Sequence, residues 1–249
     1  MKAIDGDNHF IEPLDLFERY IDPPFRDRAL RVEADQTGRF TMVVDRKPMR
    51  LGNVEQLLGA VVGYGEKEIG HTLRDFDAYK FKSAQWQDMD ARVKFLDTES
   101  FDAQVIYPTM GILWQGDVND PALADALCRA YNRWAFEMCS GHRERLVPAA
   151  HISLLDADLA VREMRRVAQL GCKTIFVASA PVNGHSLGYP DLDPIWSAAQ
   201  DLDLAVGIHL VGHSDYTGSQ WYREQNLGFM FVTMNVIPGP PNGVDHNGL

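Results

Sequence analysis

The chain has 249 residues, 45% of them hydrophobic and 24% charged, which suits a globular domain with its own core rather than a fibrous or disordered chain. Its formal net charge of −11 argues against nucleic acid as a partner, because nucleic-acid binders usually present a basic face. Neither a signal peptide nor an apolar run of membrane-spanning length is visible, so no membrane partner is expected.

The three cysteines, Cys128, Cys139 and Cys172, form no CxxC pair, and any disulfide scheme leaves one of them unpaired. Cys128 and Cys139 fall within a helical pattern, where buried free thiols are common. A reducing cytoplasm is the simplest setting for such a chain, so we predict a cytoplasmic location.

The first apolar run, Met1 to Ile4, leads into the motif Asp5-Gly-Asp7-Asn8-His9-Phe10, and a first strand is predicted over Lys2 to Asp7. Side chains two apart on a strand point to the same side, so Asp7 and His9 could hold one cation together. Oxygen and nitrogen ligands of this type suit Zn²⁺ and Mn²⁺ alike. The alternative is that Asp7 caps a turn and His9 is an ordinary surface histidine.

After a short predicted helix, Asp15 to Tyr20, the chain becomes irregular. A hairpin is predicted from Arg39 to Met49, where β-branched and apolar residues alternate with polar ones, and a glycine-rich stretch continues to residue 84. We interpret residues 29–84 as an insertion over one face of a single domain that spans residues 1–249.

From residue 87 onward, predicted strands and helices alternate, which favours parallel βαβ units. The predicted strands are Phe101 to Tyr107, Leu146 to Ile152, Lys173 to Ala178 and Leu204 to Leu210, with a further candidate at Phe229 to Ile237. The helices cover residues 87–99 and open at Asp120-Pro121, Asp156 and Asp193-Pro194. An open doubly wound sheet and a closed (β/α)₈ TIM barrel both fit this α/β pattern. No GxGxxG motif follows the first strand, so the barrel is favoured, although it needs eight strands.

Catalytic groups in parallel α/β folds gather at the carboxyl ends of the strands. His209 ends the fifth predicted strand, nearly opposite the first in an eight-stranded barrel, so it could meet Asp7 and His9 over the mouth. Three ligands from two strands leave a position for water or substrate. His151, at the end of the third strand, is interpreted instead as a structural hydrogen-bonding residue, and His213 as a loop residue near the site.

No GxSxG elbow and no Cys–His arrangement points to a nucleophilic enzyme. Trp114 and the apolar run Met110 to Leu113 follow the second predicted parallel strand, Phe101 to Tyr107, and could floor a substrate pocket, although core packing explains them equally well. Arg46 and Arg50 could meet a substrate carboxylate if the insertion covers the site. The alternative for both arginines is simple exposure.

Taken together, these motifs resemble the amidohydrolase superfamily, in particular the branch related to aminocarboxymuconate-semialdehyde decarboxylase. The motifs are Asp7-Asn8-His9-Phe10 with Glu12-Pro13, Phe101 to Pro108, Leu170 to Lys173, Asp191 to Trp196 and Val206 to His209. The resemblance implies a TIM barrel of the metal-dependent hydrolase type with one divalent ion, Zn²⁺ before Mn²⁺. It also implies hydrolysis or non-oxidative decarboxylation of a small, often aromatic or unsaturated, carboxylic acid.

By this resemblance Asp7 and His9 match the metal ligands of the first strand, and His209 matches the ligand of the fifth. Asp7 stands where the branch often has histidine, as acidic residues do in the resorcylate-type decarboxylases. The family's sixth-strand histidine and eighth-strand aspartate have no counterpart that can be placed, so we expect a C-terminally truncated barrel and assign no catalytic acid or base.

Three hypotheses about function follow. The first is a metal-dependent hydrolase or carboxy-lyase that acts on a small molecule, either as a monomer or as a homo-oligomer. The second is a catalytically impaired partial barrel that acts, if at all, by association with another chain. The third and weakest is an α/β binding protein without a metal. Stoichiometric metal in the purified protein discriminates among them.

Overall fold

The computed structural model of the protein describes residues 3–34, 36, 40–53, 88–209 and 211, and all structural features given below belong to these residues. In chain order the strands are β1 (Ile4–His9), β2 (Arg31–Ala34), β3 (Phe40–Val44), β4 (Lys47–Asn53), β5 (Ala103–Tyr107), β6 (Leu146–Pro148), β7 (Ala150–His151), β8 (Thr174–Ala178) and β9 (Ala205–His209). The helices are α1 (Leu16–Tyr20), α2 (Met89–Glu99), α3 (Pro121–Met138), α4 (Ala157–Gln169) and α5 (Asp193–Asp201). Short 3₁₀ turns lie at Pro23–Arg28, Met110–Ile112, Trp114–Gly116 and Pro190–Leu192.

The parallel strands follow one another in chain order, as predicted. One sheet has the order β1-β5-β6 and a second has the order β7-β8-β9. The two sheets continue each other, because only Ala149 separates β6 from β7 and its N–H donates to the Ile106 carbonyl at 2.9 Å. The single strand predicted from Leu146 to Ile152 is therefore divided, next to Pro148, which has no N–H for the ladder.

The predicted hairpin from Arg39 to Met49 is present as β3 and β4, and β2 adds a third antiparallel strand to it. Its turn residues Asp45 and Arg46 have φ values of 50° and 63°, the left-handed pair that tight hairpin turns require. Residues 54–84 of the predicted insertion lie outside the described residues, as does the strand candidate Phe229 to Ile237. The extent of the insertion therefore stays a prediction.

The helices begin where the sequence places their capping residues. Asp120 accepts hydrogen bonds from the backbone N–H groups that open α3, and Pro121 occupies the first helical position. Asp156 caps α4 through the Leu159 N–H at 2.8 Å, and Gly171 follows that helix with a φ of 85°. Each helix thereby returns the chain to the next parallel strand and delivers that strand's carboxyl end to the same edge of the sheet.

The core lies in two clusters, one around α1, β5 and α3 and the other around β8, α4 and α5. Cys128, Cys139 and Cys172 are buried as free thiols, as predicted for the first two of them. Within the described part of the chain, none of the helices has both the length and the apolar character that crossing a membrane requires.

Candidate metal centre

Asp7, His9 and His209 converge at the carboxyl ends of β1 and β9. One ligand atom from each residue lies within 4.8 Å of the other two. Asp7 Oδ1 is 3.2 Å from His209 Nε2 and 3.9 Å from His9 Nε2, and the two imidazole centroids are 5.0 Å apart. Two metal–ligand bonds of about 2.1 Å span about 4 Å, so one ion fits this cluster after small side-chain shifts.

The buried side chain of Arg92 on α2 fixes the end of β1 through hydrogen bonds. Its guanidinium donates to the His9 carbonyl at 2.6 Å and to Asn8 Oδ1 at 2.8 Å. Asn8 in turn donates to Asp5 Oδ2 at 2.7 Å. Adjacent strand residues face opposite sides, so Asn8 faces Arg92 on α2 while its neighbours Asp7 and His9 share the other side of β1.

The imidazole of His9 has a fixed tautomer. Its Nδ1 lies 2.8 Å from the Pro108 carbonyl, and because a carbonyl only accepts, Nδ1 carries the proton and Nε2 keeps its lone pair toward Asp7. Burial lowers the pKa of His9 to about 4, so the ring is neutral at physiological pH. A neutral imidazole with its other nitrogen anchored is the form in which histidine binds metals.

Asp7 supplies the negative charge of the cluster. Its side chain is 72% exposed, and the hydrogen bond with His209 lowers its pKa, so the carboxylate is ionised at neutral pH. Asp5, the other acidic residue of the motif, faces Asn8 and Gln104 instead. The geometry thus separates the two aspartates, and only Asp7 faces the histidines.

His209 is framed by aromatic side chains. Tyr107 stacks on its ring at 5.1 Å between centroids, and Phe176 meets it edge-on at 5.8 Å. Gly207 allows this approach, because a Cβ there would lie 2.5 Å from the Tyr107 hydroxyl oxygen. Only glycine at this position lets β9 pass so close to the ring that positions His209.

His151 does not join the cluster. It is fully buried at the end of β7, where its Nε2 contacts the side-chain amide of Gln115. The side chain of Asn132 forms hydrogen bonds with both the backbone N–H and the backbone carbonyl of His151. This environment agrees with its interpretation as a structural hydrogen-bonding residue. Among the described residues, Asp7, His9 and His209 form the sole group with the geometry for a shared ion. The other histidines are either engaged elsewhere, as His142 with Asp90 and His185 with Tyr189, or outside the described residues, as His71, His213 and His246 are.

A cavity of about 380 Å³ opens beside the cluster. Ala178, the β-ladder partner of His209, lines it, as does Val211, two residues beyond His209. Trp114 is buried and also lines the cavity, so it serves both the core and the pocket, the two interpretations that the sequence left open. A larger groove of about 510 Å³ lies between α4 and α5, on helix surfaces rather than at strand ends.

Sequence analysis missed several residues that shape the site. Arg92 lies on the buried face of α2 with Met89 and Leu96, where an arginine is not expected, and Glu12 entered only as part of a motif. Glu12 is buried, and its carboxylate accepts N–H groups from Thr109, Met110 and Gly111 at 3.0–3.1 Å, which fixes the loop after β5. A glutamate followed by proline just beyond the His9 strand was the one signal available for it.

The two arginines considered for substrate binding have different outcomes. Arg46 is exposed and forms an ion pair with Asp27, so its guanidinium is engaged within the antiparallel sheet region. The side chain of Arg50 lies outside the described residues, and its role stays a prediction.

Comparison with known proteins identifies the family. The sequence model of the amidohydrolase family matches residues 4–230 of the chain. No curated protein matches the chain in sequence. Among solved structures, an amidohydrolase from Mycobacterium avium subsp. paratuberculosis K-10 is 25% identical with a TM-score of 0.74, and the match covers 95% of this chain and 66% of that one.

Two solved decarboxylases share the fold at lower identity. One is a mutant 5-carboxyvanillate decarboxylase from Novosphingobium aromaticivorans with bound manganese and 3-methoxy-4-hydroxy-5-nitrobenzoic acid. It is 18% identical with a TM-score of 0.56, and the match covers 91% of this chain and 56% of that one. The other is a dihydroxybenzoic acid decarboxylase from Polaromonas sp. JS666 with bound manganese and 2-nitroresorcinol, 14% identical with a TM-score of 0.51, covering 92% and 55%.

The chain therefore spans between 55% and 66% of the length of these three solved proteins. Its parallel α/β architecture is of the TIM-barrel type, the fold of metal-dependent hydrolases and carboxy-lyases. The resemblance found in the motifs is confirmed, because the family model covers far more than half of the chain and decarboxylases occur among its structural neighbours. The chain belongs to the amidohydrolase family.

Proposed function

We propose that the protein is a metal-dependent enzyme that acts on a small aromatic or unsaturated carboxylic acid. Asp7, His9 and His209 hold one divalent ion in this proposal. The observation that carries it is their convergence to within 4.8 Å from strands about 200 residues apart in the chain. Independent strands that deliver two imidazoles and a carboxylate to one point are typical of an open, catalytic metal site.

The donor set suits Zn²⁺, the ion favoured by the sequence, and also Mn²⁺, which two solved neighbours contain. When bound, such an ion acts as a Lewis acid that polarises a substrate oxygen or lowers the pKa of a water. The protein contributes the positions of the ligands. Pro108 keeps Nε2 of His9 available, and Tyr107 holds the plane of His209.

Hydrolysis and non-oxidative decarboxylation are both chemistries of this family. Decarboxylation of an aromatic acid is the better supported of the two, because both manganese-containing neighbours are decarboxylases of aromatic acids. The pocket beside His209 would then receive the body of the substrate while the ion site takes its carboxylate. A single domain over residues 1–249 is part of this proposal.

The second candidate is a catalytically impaired partial barrel that associates with another chain or a second copy. Exposed apolar side chains on the two outer parallel strands favour it: Ile4 is 61% exposed, Ile208 60% and Val206 38%. Large apolar residues on outer strands are normally covered, by more of the same chain or by a partner.

Metal reconstitution tests the proposal. The purified protein is stripped with a chelator, reloaded with Zn²⁺ or Mn²⁺, analysed for metal content and assayed for CO₂ release from a panel of hydroxybenzoic acids. We expect about one ion per chain and turnover that the chelator abolishes. Robust turnover without metal would contradict the proposal. Substoichiometric metal together with a dimeric or larger mass by light scattering would favour the partial barrel.

A further inference from the structure

The pocket beside the metal centre has an uncharged lining. Its described wall contains apolar side chains, glycines and the neutral polar side chains of Gln115, Asn119, Ser153 and Asn183, without any Asp, Glu, Lys, Arg or His. A volume of about 380 Å³ is at the lower end of small-molecule sites, which suits a single substituted ring. Such a wall offers no charge to a carboxylate, so an acidic substrate would place its uncharged portion here.

One polar group of this wall is held in a fixed position. The side-chain amide of Gln115 meets Nε2 of His151, which it reaches as a donor when the imidazole presents its lone pair. Gln115 is partly exposed to the cavity, whereas His151 is fully buried. The contact therefore joins the pocket wall to the core of the sheet.

His151 is itself immobilised from several sides. Its ring packs against Phe176 at 4.6 Å and Trp114 at 5.2 Å between centroids. Its backbone N–H donates to Asn132 Oδ1 at 2.7 Å, and Asn132 Nδ2 donates back to its carbonyl at 3.0 Å. Burial lowers the pKa of His151 to about 3, which keeps the ring neutral, so one of its two nitrogens carries a lone pair.

This arrangement decides what Gln115 can offer a ligand. With one of its two amide N–H groups donated to His151, the side chain keeps its carbonyl oxygen, which only accepts hydrogen bonds, and its second N–H for a ligand. A positioned acceptor in a small apolar pocket discriminates against a ligand that lacks the matching donor, because the acceptor then loses water without gaining a partner.

We propose that Gln115 is a specificity-determining residue that accepts a hydrogen bond from a hydroxyl group on the uncharged ring of the substrate. The inference rests on the proposed function for the identity of the ligand as an aromatic acid. It adds the recognised group, a neutral donor on the ring, and the residue that recognises it. Trp114 supplies an apolar wall of the same pocket.

The test uses ligands that need no metal. Ligand-observed NMR titration of the chelator-treated 249-residue chain measures the affinity for phenol and for anisole. Anisole has the same ring as phenol but no hydroxyl donor. We expect the wild-type protein to bind phenol about tenfold more tightly than anisole, corresponding to one neutral hydrogen bond. Gln115→Met, which keeps the side-chain length but not the acceptor, should lower the phenol affinity to that of anisole. Gln200→Met, the same substitution at an exposed position of α5 outside the pocket, should leave the ratio unchanged.

An equal ratio in the wild type and Gln115→Met, or no binding of either ligand to the wild type, would overturn the inference. If Gln115→Met fails to fold by circular dichroism, a nuclear Overhauser contact between bound phenol and the Gln115 side chain in the wild type decides. Its presence supports the assignment of Gln115, and its absence rejects it. Because no ion is involved, a protein that prefers phenol yet binds no metal would support the assignment of Gln115 while refuting the proposed function.

Discussion

Two histidine sites lie at the carboxyl ends of the parallel strands, and their surroundings differ. At the first site His9 and His209 face the exposed carboxylate of Asp7. At the second site His151 is enclosed by aromatic rings and faces the neutral amide of Gln115. The residue type and the place in the fold are the same, but the neighbouring group is an anion in one case and an amide in the other.

This difference shows that the neighbour, rather than the histidine, decides the chemistry. A cation beside Asp7 would have its charge compensated and would remain open to water. A cation beside His151 would be buried among apolar rings without any compensating carboxylate, at a large cost in desolvation. The following substitutions test this contrast, beginning with the largest expected effect on metal affinity.

Replacing His209 by alanine should have the largest effect. The cluster would lose one of its three ligands, so we expect Zn²⁺ or Mn²⁺ affinity to fall by more than about 100-fold, since even outer-shell partners are worth 10–100-fold. Isothermal titration of the metal-free protein measures this. His185→Ala is the matched control, because His185 stacks on Tyr189 away from the cluster. Unchanged affinity in His209→Ala would reject the site.

Replacing Arg92 by methionine should lower both the stability of the protein and its metal affinity, the latter less than His209→Ala does. The His9 carbonyl loses its guanidinium donor and Asn8 Oδ1 keeps only the His9 N–H, which should lower the free energy of unfolding by about 2–3 kcal/mol. Because the end of β1 is then less fixed, metal affinity should fall about tenfold. Arg145→Met is the control, since Arg145 holds the carbonyls of Phe101 and Asp102 at the opposite end of β5. Arg145→Met should lower the free energy of unfolding without changing metal affinity. Equal losses of metal affinity in both variants would contradict the positioning role of Arg92.

Gly207→Ala should disturb His209 indirectly. The added methyl would meet the Tyr107 hydroxyl at 2.5 Å, so the ring that stacks on His209 must move. We expect a loss of about 1–3 kcal/mol in stability and a few-fold loss of metal affinity. Adding Tyr107→Phe removes the clashing oxygen and should restore part of both. A double mutant no better than Gly207→Ala would show that the clash is not the cause.

His151→Leu should leave metal affinity at pH 7.5 unchanged within about twofold, the smallest effect of the series. It should instead alter the pH dependence of folding. The pKa of His151 is lowered to about 3 by burial, so the unfolded chain takes up this proton near pH 6.5 while the folded chain does not. The contribution of His151 to the free energy of unfolding is therefore fully present above pH 6.5, and it is lost as the pH falls toward 3.

Urea unfolding of the metal-free protein between pH 7 and pH 4 checks this. The wild-type slope should exceed that of His151→Leu by up to about 1.4 kcal/mol per pH unit, the linkage of one proton. Identical slopes would show that His151 does not resist protonation in the folded protein.

Much of this organisation could be predicted from sequence because it depends on local signals. Asp120-Pro121 and Asp156 mark helix starts, and the period of two places Asp7 and His9 on one side of β1. The order of the parallel strands follows from the alternation of strand and helix. First-strand boundaries were less accurate: the strand covers Ile4–His9 rather than Lys2 to Asp7, since pairing with β5 extends it through the motif.

The remaining features depend on contacts between distant segments. Helical spacing places Arg92 on the buried face of α2 beside Met89 and Leu96, but it does not identify Asn8 and the His9 carbonyl as the groups that Arg92 reaches. The assignment of His151 to a structural role depends on Gln115, 36 residues earlier in the chain. Such pairs are set by tertiary packing, so the sequence could nominate the histidines but could not say which neighbour each one meets.

The central claim is that Asp7, His9 and His209 bind one divalent ion, and X-ray absorption spectroscopy of the Zn²⁺-loaded protein tests it most directly. We predict one ion per chain with two imidazole nitrogens at about 2.0–2.1 Å and at least one oxygen at about 2.0–2.2 Å. A spectrum without imidazole scattering, or one-to-one binding that survives when all three residues are replaced by alanine, would contradict the account.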